Sequence, residues 1–239
     1  MAKASTLTAP AGNHLLEALP DEERDALMQH LRPGHLSVKT VIFDPGQPIS
    51  YVHFPVDGVI SLVTPLADGN IVEVATIGNE GIVGVPLVPG GSLAVRAISQ
   101  VAGRTLRIEA GEFAKGLERL PAFRDLVQNY VQALFGQISQ AAACNRLHSN
   151  EERLSRWLLM SHDRVGTDTF PITHEFLGQM LGSRRATVTL SAGLLQSAGL
   201  IRYHRGRVTI VDREGLESVS CECYGIIKAA LDRVVAAAD

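Results

Sequence analysis

The chain has 239 residues, of which 46% are hydrophobic and 20% charged, with a formal net charge of −3. These are the proportions of a globular chain that can hold one large or two ordinary domains, each with its own core. No run of about 18 uncharged apolar residues occurs, which argues against a membrane span. The opening MAKASTLTAPAGNHLLEAL lacks an apolar stretch behind a basic start, which argues against a secretory signal.

Residues 12–31 read as helical, with Leu15, Leu16, Leu19, Leu27 and Leu31 near helical spacing and Asp21, Glu22 and Glu23 opening a second turn after Pro20. From Leu36 to Ile108 the texture changes. Short β-branched runs (38–43, 52–54, 59–63, 71–76, 94–101 and 105–108) alternate with Pro45-Gly46, Asp57-Gly58, Asp68-Gly69-Asn70, Gly78-Asn79 and Pro89-Gly90-Gly91. Strands this short and evenly spaced predict a sandwich or barrel.

From Pro121 to about Asn145 the pattern is helical again, over a length of about 37 Å. Val127, Val131, Leu134, Ile138 and Ala141 step by four and three, a heptad seam. The seam fits a parallel two-fold dimer helix, and it also fits a helix packed inside its own domain. A break at Arg146–Ser149 follows, then a second helix with Leu154, Trp157, Leu158 and Leu159 facing inward.

The stretch Pro171–Val211 then reads as helix, tight turn, helix and basic hairpin, with five arginines (Arg184, Arg185, Arg202, Arg205 and Arg207) and one acid, Glu175. In a chain of net negative charge, such a gathering is the footprint of a polyanion-binding surface. Thr173 can cap the first helix, and Gly182 supplies the turn. The second helix runs from about Arg184 to Ser197, with Val188, Ala192 and Leu195 inward and Arg184, Arg185, Thr187, Thr189 and Ser191 outward. Two arginines at a helix N-terminus oppose the macrodipole, so folding alone gives no reason for them. Guanine edges and phosphates do. Arg205 and Arg207 at the hairpin would flank adjacent phosphates. The expected DNA contacts are therefore Thr173, Ser183, Arg184, Arg185, Thr187, Thr189, Arg205 and Arg207.

The segment GQMLGSRRATVTL…LLQSAGLI, behind a long helix and a glycine-punctuated β domain, resembles the Crp/Fnr family of bacterial transcription regulators. The likeness runs from about Asn13 to Tyr224. It implies an α+β chain. Residues 1–120 would be a cyclic-nucleotide-binding-like β-roll, 121–147 a dimerisation helix, and 148–239 a winged helix-turn-helix. It also implies a homodimer on double-stranded DNA, with Val127, Val131, Leu134, Ile138 and Ala141 at the dimer interface. RNA polymerase and a small-molecule effector are the further partners such a regulator admits.

The chain departs from the family at its sensor. Cyclic-AMP-responsive members carry a Gly-Glu pair and, about ten residues on, an Arg-Ser pair that hold the ribose and the cyclic phosphate. In EGIVGVPLVPGGSLAVRAI, Gly84 holds the glycine but Val85 replaces the acid, and Leu93 and Ala94 replace Arg-Ser. A phosphate buried there without a paired cation is costly. Ordinary cyclic AMP or GMP is therefore not expected, with Arg96 the nearest cation to recruit. No cysteine precedes Cys144, so the N-terminal iron–sulfur cluster of oxygen-sensing members is missing. His53 and His35 are the candidates for the haem of carbon-monoxide-sensing members, though a lone histidine is more often structural. No cofactor is expected.

The three cysteines, Cys144, Cys221 and Cys223, make no disulfide framework, and a cytoplasmic, reduced protein is expected. Cys221-Glu-Cys223 supplies two thiols where a zinc site needs four ligands. A structural role is expected, with redox and metal roles as alternatives and His204 and His174 as the histidines in question. No metal site is expected. Cys144 could meet its twin across a dimer axis. The recognition helix has Ala186 and Leu190 where relatives often carry Glu and Arg, so the operator should differ from the usual family half-site. No G-x-S-x-G, H-E-x-x-H, P-loop or Rossmann pattern occurs, so an enzyme is not expected. His148 with Glu151 and Glu152, and His162 with Asp163, read as solvated charges and caps. The alternative to a DNA-binding regulator is a ligand- or redox-responsive module whose helix-turn-helix serves protein contact.

Overall fold

The computed structural model describes residues 12–85 and 91–236. Residues 1–11, on which the signal-peptide reading rests, lie outside it, as do Pro89 and Gly90 of one expected turn.

The chain opens with two short helices, α1 (His14–Glu17) and α2 (Asp21–Met28). Asn13 caps α1, and its amide donates to the carbonyls of Pro55 and Gly81 at 2.9 and 3.0 Å, tying this end to the β domain. Seven strands follow: β1 (Arg32–Leu36), β2 (Val41–Phe43), β3 (Tyr51–Pro55), β4 (Val59–Pro65), β5 (Ile71–Ile77), β6 (Arg96–Val101) and β7 (Gly103–Glu109). They form two antiparallel sheets, ordered β1-β7-β3 and β2-β6-β4-β5. The β-domain prediction is met by the alternation of β-branched runs and glycine turns. Strand β1 was not predicted, because Pro33-Gly34 reads as a turn. At the edge of its sheet, however, a proline need not donate to a ladder.

Helix α3 (Ala110–Arg119), also not predicted, leads into α4 (Pro121–Leu147), which at 27 residues is about 40 Å long. Pro121 sits in the first turn, where its missing N–H costs nothing. Glu23 of α2 accepts from the backbone N–H groups of Ala122 and Phe123 at 3.2 and 2.9 Å, so one helix caps the next. Phe54, Phe113 and Phe123 are fully buried together, the last two edge-to-face at 5.3 Å.

Helix α5 (Asn150–Val165) begins with a capping box of Ser149 and Glu152 and stops at Gly166 in the left-handed region. Then come β8 (Thr169–Pro171), α6 (His174–Met180), α7 (Arg185–Ser197), β9 (Ile201–His204), β10 (Arg207–Ile210), α8 (Arg213–Ser218) and α9 (Cys223–Ala236), the last two unpredicted. The small sheet has the order β8-β10-β9. Helix α9 packs along α4, and α6 lies against β5.

Buried polar contacts join this C-terminal part to the β domain. Trp157 of α5 donates to Glu73 of β5 at 3.0 Å. Arg164 of α5 pairs with Glu80, which follows β5, at 2.7 Å, both largely buried.

Candidate nucleic-acid interface

Helices α6 and α7 meet across a turn that only glycine permits. A Cβ on Gly178 would lie 2.8 Å from the carbonyl oxygen of Ser183, and Gly182 turns the chain at φ 58°. Thr173 caps α6, its hydroxyl accepting from the backbone N–H of Phe176 at 3.1 Å. Helix α7 runs Arg185–Ser197 with Arg184 at the cap position and no side-chain cap, so its first N–H groups remain for another partner. Val188, Ala192 and Leu195 are buried as predicted.

The wing is the hairpin β9–β10. Its two-residue loop, Arg205-Gly206, has φ 46° and 73°, positive at both positions as a type I′ turn requires. The tip returns toward the start of the reader, because Ile172 N–H donates to the Gly206 carbonyl at 2.8 Å.

Arg184, Arg185, Arg202, Arg205 and Arg207 are all exposed. Among the described residues, none of the five takes part in an ion pair. Behind them stands a strut that sequence reading missed. The His174 ring lies against Tyr203 with centroids 4.1 Å apart. Its Nδ1 meets the Thr189 hydroxyl at 3.0 Å, and that hydroxyl donates to the Arg185 carbonyl at 2.9 Å. Tyr203 donates to the Ile172 carbonyl at 2.5 Å. The start of α6, the middle of α7 and the wing are thereby one unit. Burial, and then the Arg185 charge, hold the His174 pKa below its ordinary value. The signal for this strut was a histidine directly after the cap and a tyrosine in the wing, but nothing in their spacing shows the stack.

The expected contact residues divide. Arg184, Arg185, Arg205 and Arg207 are exposed, and Thr187 is half-buried. Thr173 and Thr189 are exposed but engaged as described. Ser183 donates to Asn150 at 2.6 Å, holding the turn against α5. Ser191, expected outward, is buried and donates to Glu151 of α5 at 2.7 Å. Its position places it on the α5-facing side of the helix, where the hydroxyl finds a carboxylate. Ala186, Leu190 and Leu194 complete the outward face, Leu190 being 65% exposed.

Of the five seam residues on α4, Val127 and Ala141 are buried inside their own chain. Val131, Leu134 and Ile138 are half-buried against it. Phe135, on the outer side, is 71% exposed.

At the sensor, Gly84 adopts φ 83° beside the Tyr51 carbonyl, and Val85 belongs to the main core. Leu93 packs half-buried in the second core and Ala94 is exposed. Arg96 is held by Asp44 at 2.5 Å. His53 is buried and His35 exposed, on strands either side of β7. Burial, then Arg107, push His53 down to about 4.

Residues 152–219 match the family of Crp-like helix-turn-helix domains. Across those residues the chain carries a Crp-like helix-turn-helix domain. A curated relative, the global nitrogen regulator of Synechococcus elongatus, is 25% identical over 183 residues, covering 72% of this chain and 82% of that protein. Solved structures share the fold. FixK2 from Bradyrhizobium japonicum superposes with a TM-score of 0.70 at 15% identity, over 80% of this chain and 98% of that one. The c-di-GMP-responsive regulator CLP of Xanthomonas campestris gives 0.66 at 13% identity, over 80% and 99%. At these identities the likeness establishes the fold alone.

Proposed function

We propose that this regulator acts as a homodimer on a two-fold-symmetric operator, its half-sites about 34–36 Å apart. Residues 1–120 form the sensor, 121–147 the dimerisation helix and 148–239 the reader, with RNA polymerase as the machinery it acts on in the cytoplasm. The observation that carries the reading is the set of five exposed arginines, free of carboxylate partners among the described residues, at the start of α7 and along the wing.

In this reading Arg184 and Arg185 enter the major groove, and Arg185 contacts a guanine edge in bidentate fashion. Thr187 meets phosphate. Ala186 and Leu190 offer apolar surface to thymine methyls, so the half-site departs from one read by Glu and Arg. Arg205 and Arg207 hold the flanking phosphates. Ser183, Thr173 and Thr189 hold the turn and helices in place for these contacts.

The dimer forms along α4 through Val131, Leu134, Ile138 and Phe135, with Val127 and Ala141 supporting the helix from behind. The effector is not cyclic AMP or GMP, or the unliganded chain is already competent. Val85, Leu93 and Ala94 supply no cation for a phosphate, and Arg96 is engaged by Asp44.

The test is the salt dependence of binding to duplex DNA. Each neutralised phosphate contributes about −0.9 to the slope of log K against log salt. Arg205→Ala and Arg207→Ala should each flatten the slope by about one such step. An unchanged slope would remove the wing from the interface.

A further inference from the structure

The long helix ends and the last helix begins at the same place. Cys144 lies in the final turn of α4 and His148 at its C-cap. Cys221 precedes α9, and Cys223 is its first residue. One ligand atom from each of the four lies within 4.8 Å of all the others. The Cys144 and Cys221 sulfurs are 3.5 Å apart, and Cys223 Sγ is 3.5 Å from His148 Nδ1. A disulfide would bring two sulfurs to about 2.05 Å. A tetrahedral zinc with Zn–S of about 2.3 Å and Zn–N of about 2.0–2.1 Å has ligand–ligand edges of roughly 3.6–3.8 Å.

From this geometry we infer that Cys144, His148, Cys221 and Cys223 form a mononuclear tetrahedral metal site of the Cys3His type, with Zn2+ as its ion. Three thiolates and an imidazole are the donor set that suits zinc, and four protein ligands leave no open position, so the site is structural. Each thiol that carries a proton before binding loses it to solvent as the Zn–S bond forms.

Two independent features around the cluster point the same way. The first is the histidine's far side. His148 turns Nδ1 toward the thiols, and its Nε2 faces the Glu222 carboxylate at 3.3 Å. A ligating histidine commonly has its second nitrogen held by a carboxylate, which fixes the tautomer. Gln140 Nε2 donates to Cys223 Sγ at 3.1 Å, the kind of bond that steadies a thiolate.

The second feature is charge. Arg153 and Arg156, in the first turns of α5, are both buried, and neither has a carboxylate within ion-pair distance among the described residues. The Nε of each lacks a hydrogen-bond partner. Arg153 donates to the Asn145 side chain, next to Cys144, at 3.0 Å, and the charges of both arginines act on Cys144. Uncompensated buried cations are costly. Three thiolates on a dication carry a net charge of −1, an anionic centre beside two guanidinium groups of which Arg156 also feels the Glu73 carboxyl.

The ligands also bracket the reader. Two precede α5 and two follow α8, so the ion closes the helix-turn-helix domain at both ends and fastens α9 to α4. It takes the place of the twin-cysteine contact open to Cys144, whose sulfur is buried against Cys221 of its own chain. It also replaces His174 and His204 as the histidines in question, with His148 taking that place.

The test is metal analysis of the full chain purified under reducing conditions without added metal. About one zinc per chain is expected. Cobalt added to chelator-stripped protein should show the strong visible bands of a tetrahedral thiolate site. Cys223→Ser and His148→Ala should abolish stoichiometric zinc. Those variants also remove core side chains, so Glu222→Ala provides a milder probe: its side chain is 68% exposed, and it should keep the fold while weakening zinc by about 10-fold in chelator competition. Reduced wild-type protein that holds no zinc and gives no tetrahedral cobalt spectrum would overturn the assignment. So would iron with acid-labile sulfide, or a Cys144–Cys221 disulfide as the resting state.

Discussion

Glu73 of β5 accepts a hydrogen bond from the indole Nε1 of Trp157 in α5 at 3.0 Å, so the β domain and the reader share one buried carboxyl. The same carboxyl also receives the hydroxyls of Ser61 at 2.5 Å and Thr76 at 2.8 Å. Burial raises its pKa, and the three hydrogen bonds and Arg156 only partly oppose that rise.

The sign of the resulting pH dependence follows. Below the ordinary value of 4.5, folded and unfolded chains both carry the proton. As pH rises, the unfolded chain ionises first, and the stability contribution of Glu73 is lost as pH rises through its folded pKa, by up to about 1.4 kcal/mol per pH unit. Glu73→Gln should remove this slope. Denaturant melts at several pH values, read by the fluorescence of Trp157, the chain's single tryptophan, measure it. Parallel curves for the two proteins would refute the assignment.

His53 should act in the opposite direction. Its folded pKa of about 4 lies below the ordinary 6.5, so stability is present above 6.5 and is lost as pH falls toward 4. His53→Gln should flatten the acid limb of the same curves, and an unaltered limb would contradict it.

The Arg164–Glu80 pair is a second joint between the two parts. Each is largely buried, and Arg164 also donates to the Thr76 carbonyl at 3.2 Å. Glu80→Ala leaves that guanidinium without its carboxylate and should cost about 3–5 kcal/mol of stability. Thermal unfolding monitors the loss. A change below about 1 kcal/mol would place the pair among weak surface contacts.

Arg205 is predicted to help DNA binding at the expense of the hairpin. Its φ of 46° is strained for a side-chain-bearing residue, by about 1–2 kcal/mol. Arg205→Gly should therefore raise the melting temperature while weakening DNA binding on all sequences alike. Loss of both stability and binding would show that Arg205 serves the fold.

Much of this was legible in the sequence, and the part that was not has a physical cause. Alternating β-branched runs and Gly-containing turns marked the β domain, and the period of α7 placed Val188, Ala192 and Leu195 inward. Strand β1 was hidden because Pro33-Gly34 is tolerated only at an edge, which the sequence does not reveal. Ser191, three residues after Val188 and four before Leu195, lies on the period of that same inward face, and its polar side chain disguised a position that α5 covers. The cysteine cluster was invisible for a related reason. Cys144 and Cys221 are 77 residues apart, and only the packing of α9 on α4 brings them together.

The central claim concerns what the start of α7 reads. Random duplex DNA should be selected with purified full-length protein at physiological salt and the bound fraction sequenced, for wild type and Arg185→Ala. The account predicts a two-fold-symmetric motif with half-sites about one helical turn apart. It also predicts that Arg185→Ala loses about 1–3 kcal/mol and relaxes preference at one position in each half-site. Enrichment of no motif, or a motif that Arg185→Ala leaves intact, would contradict it.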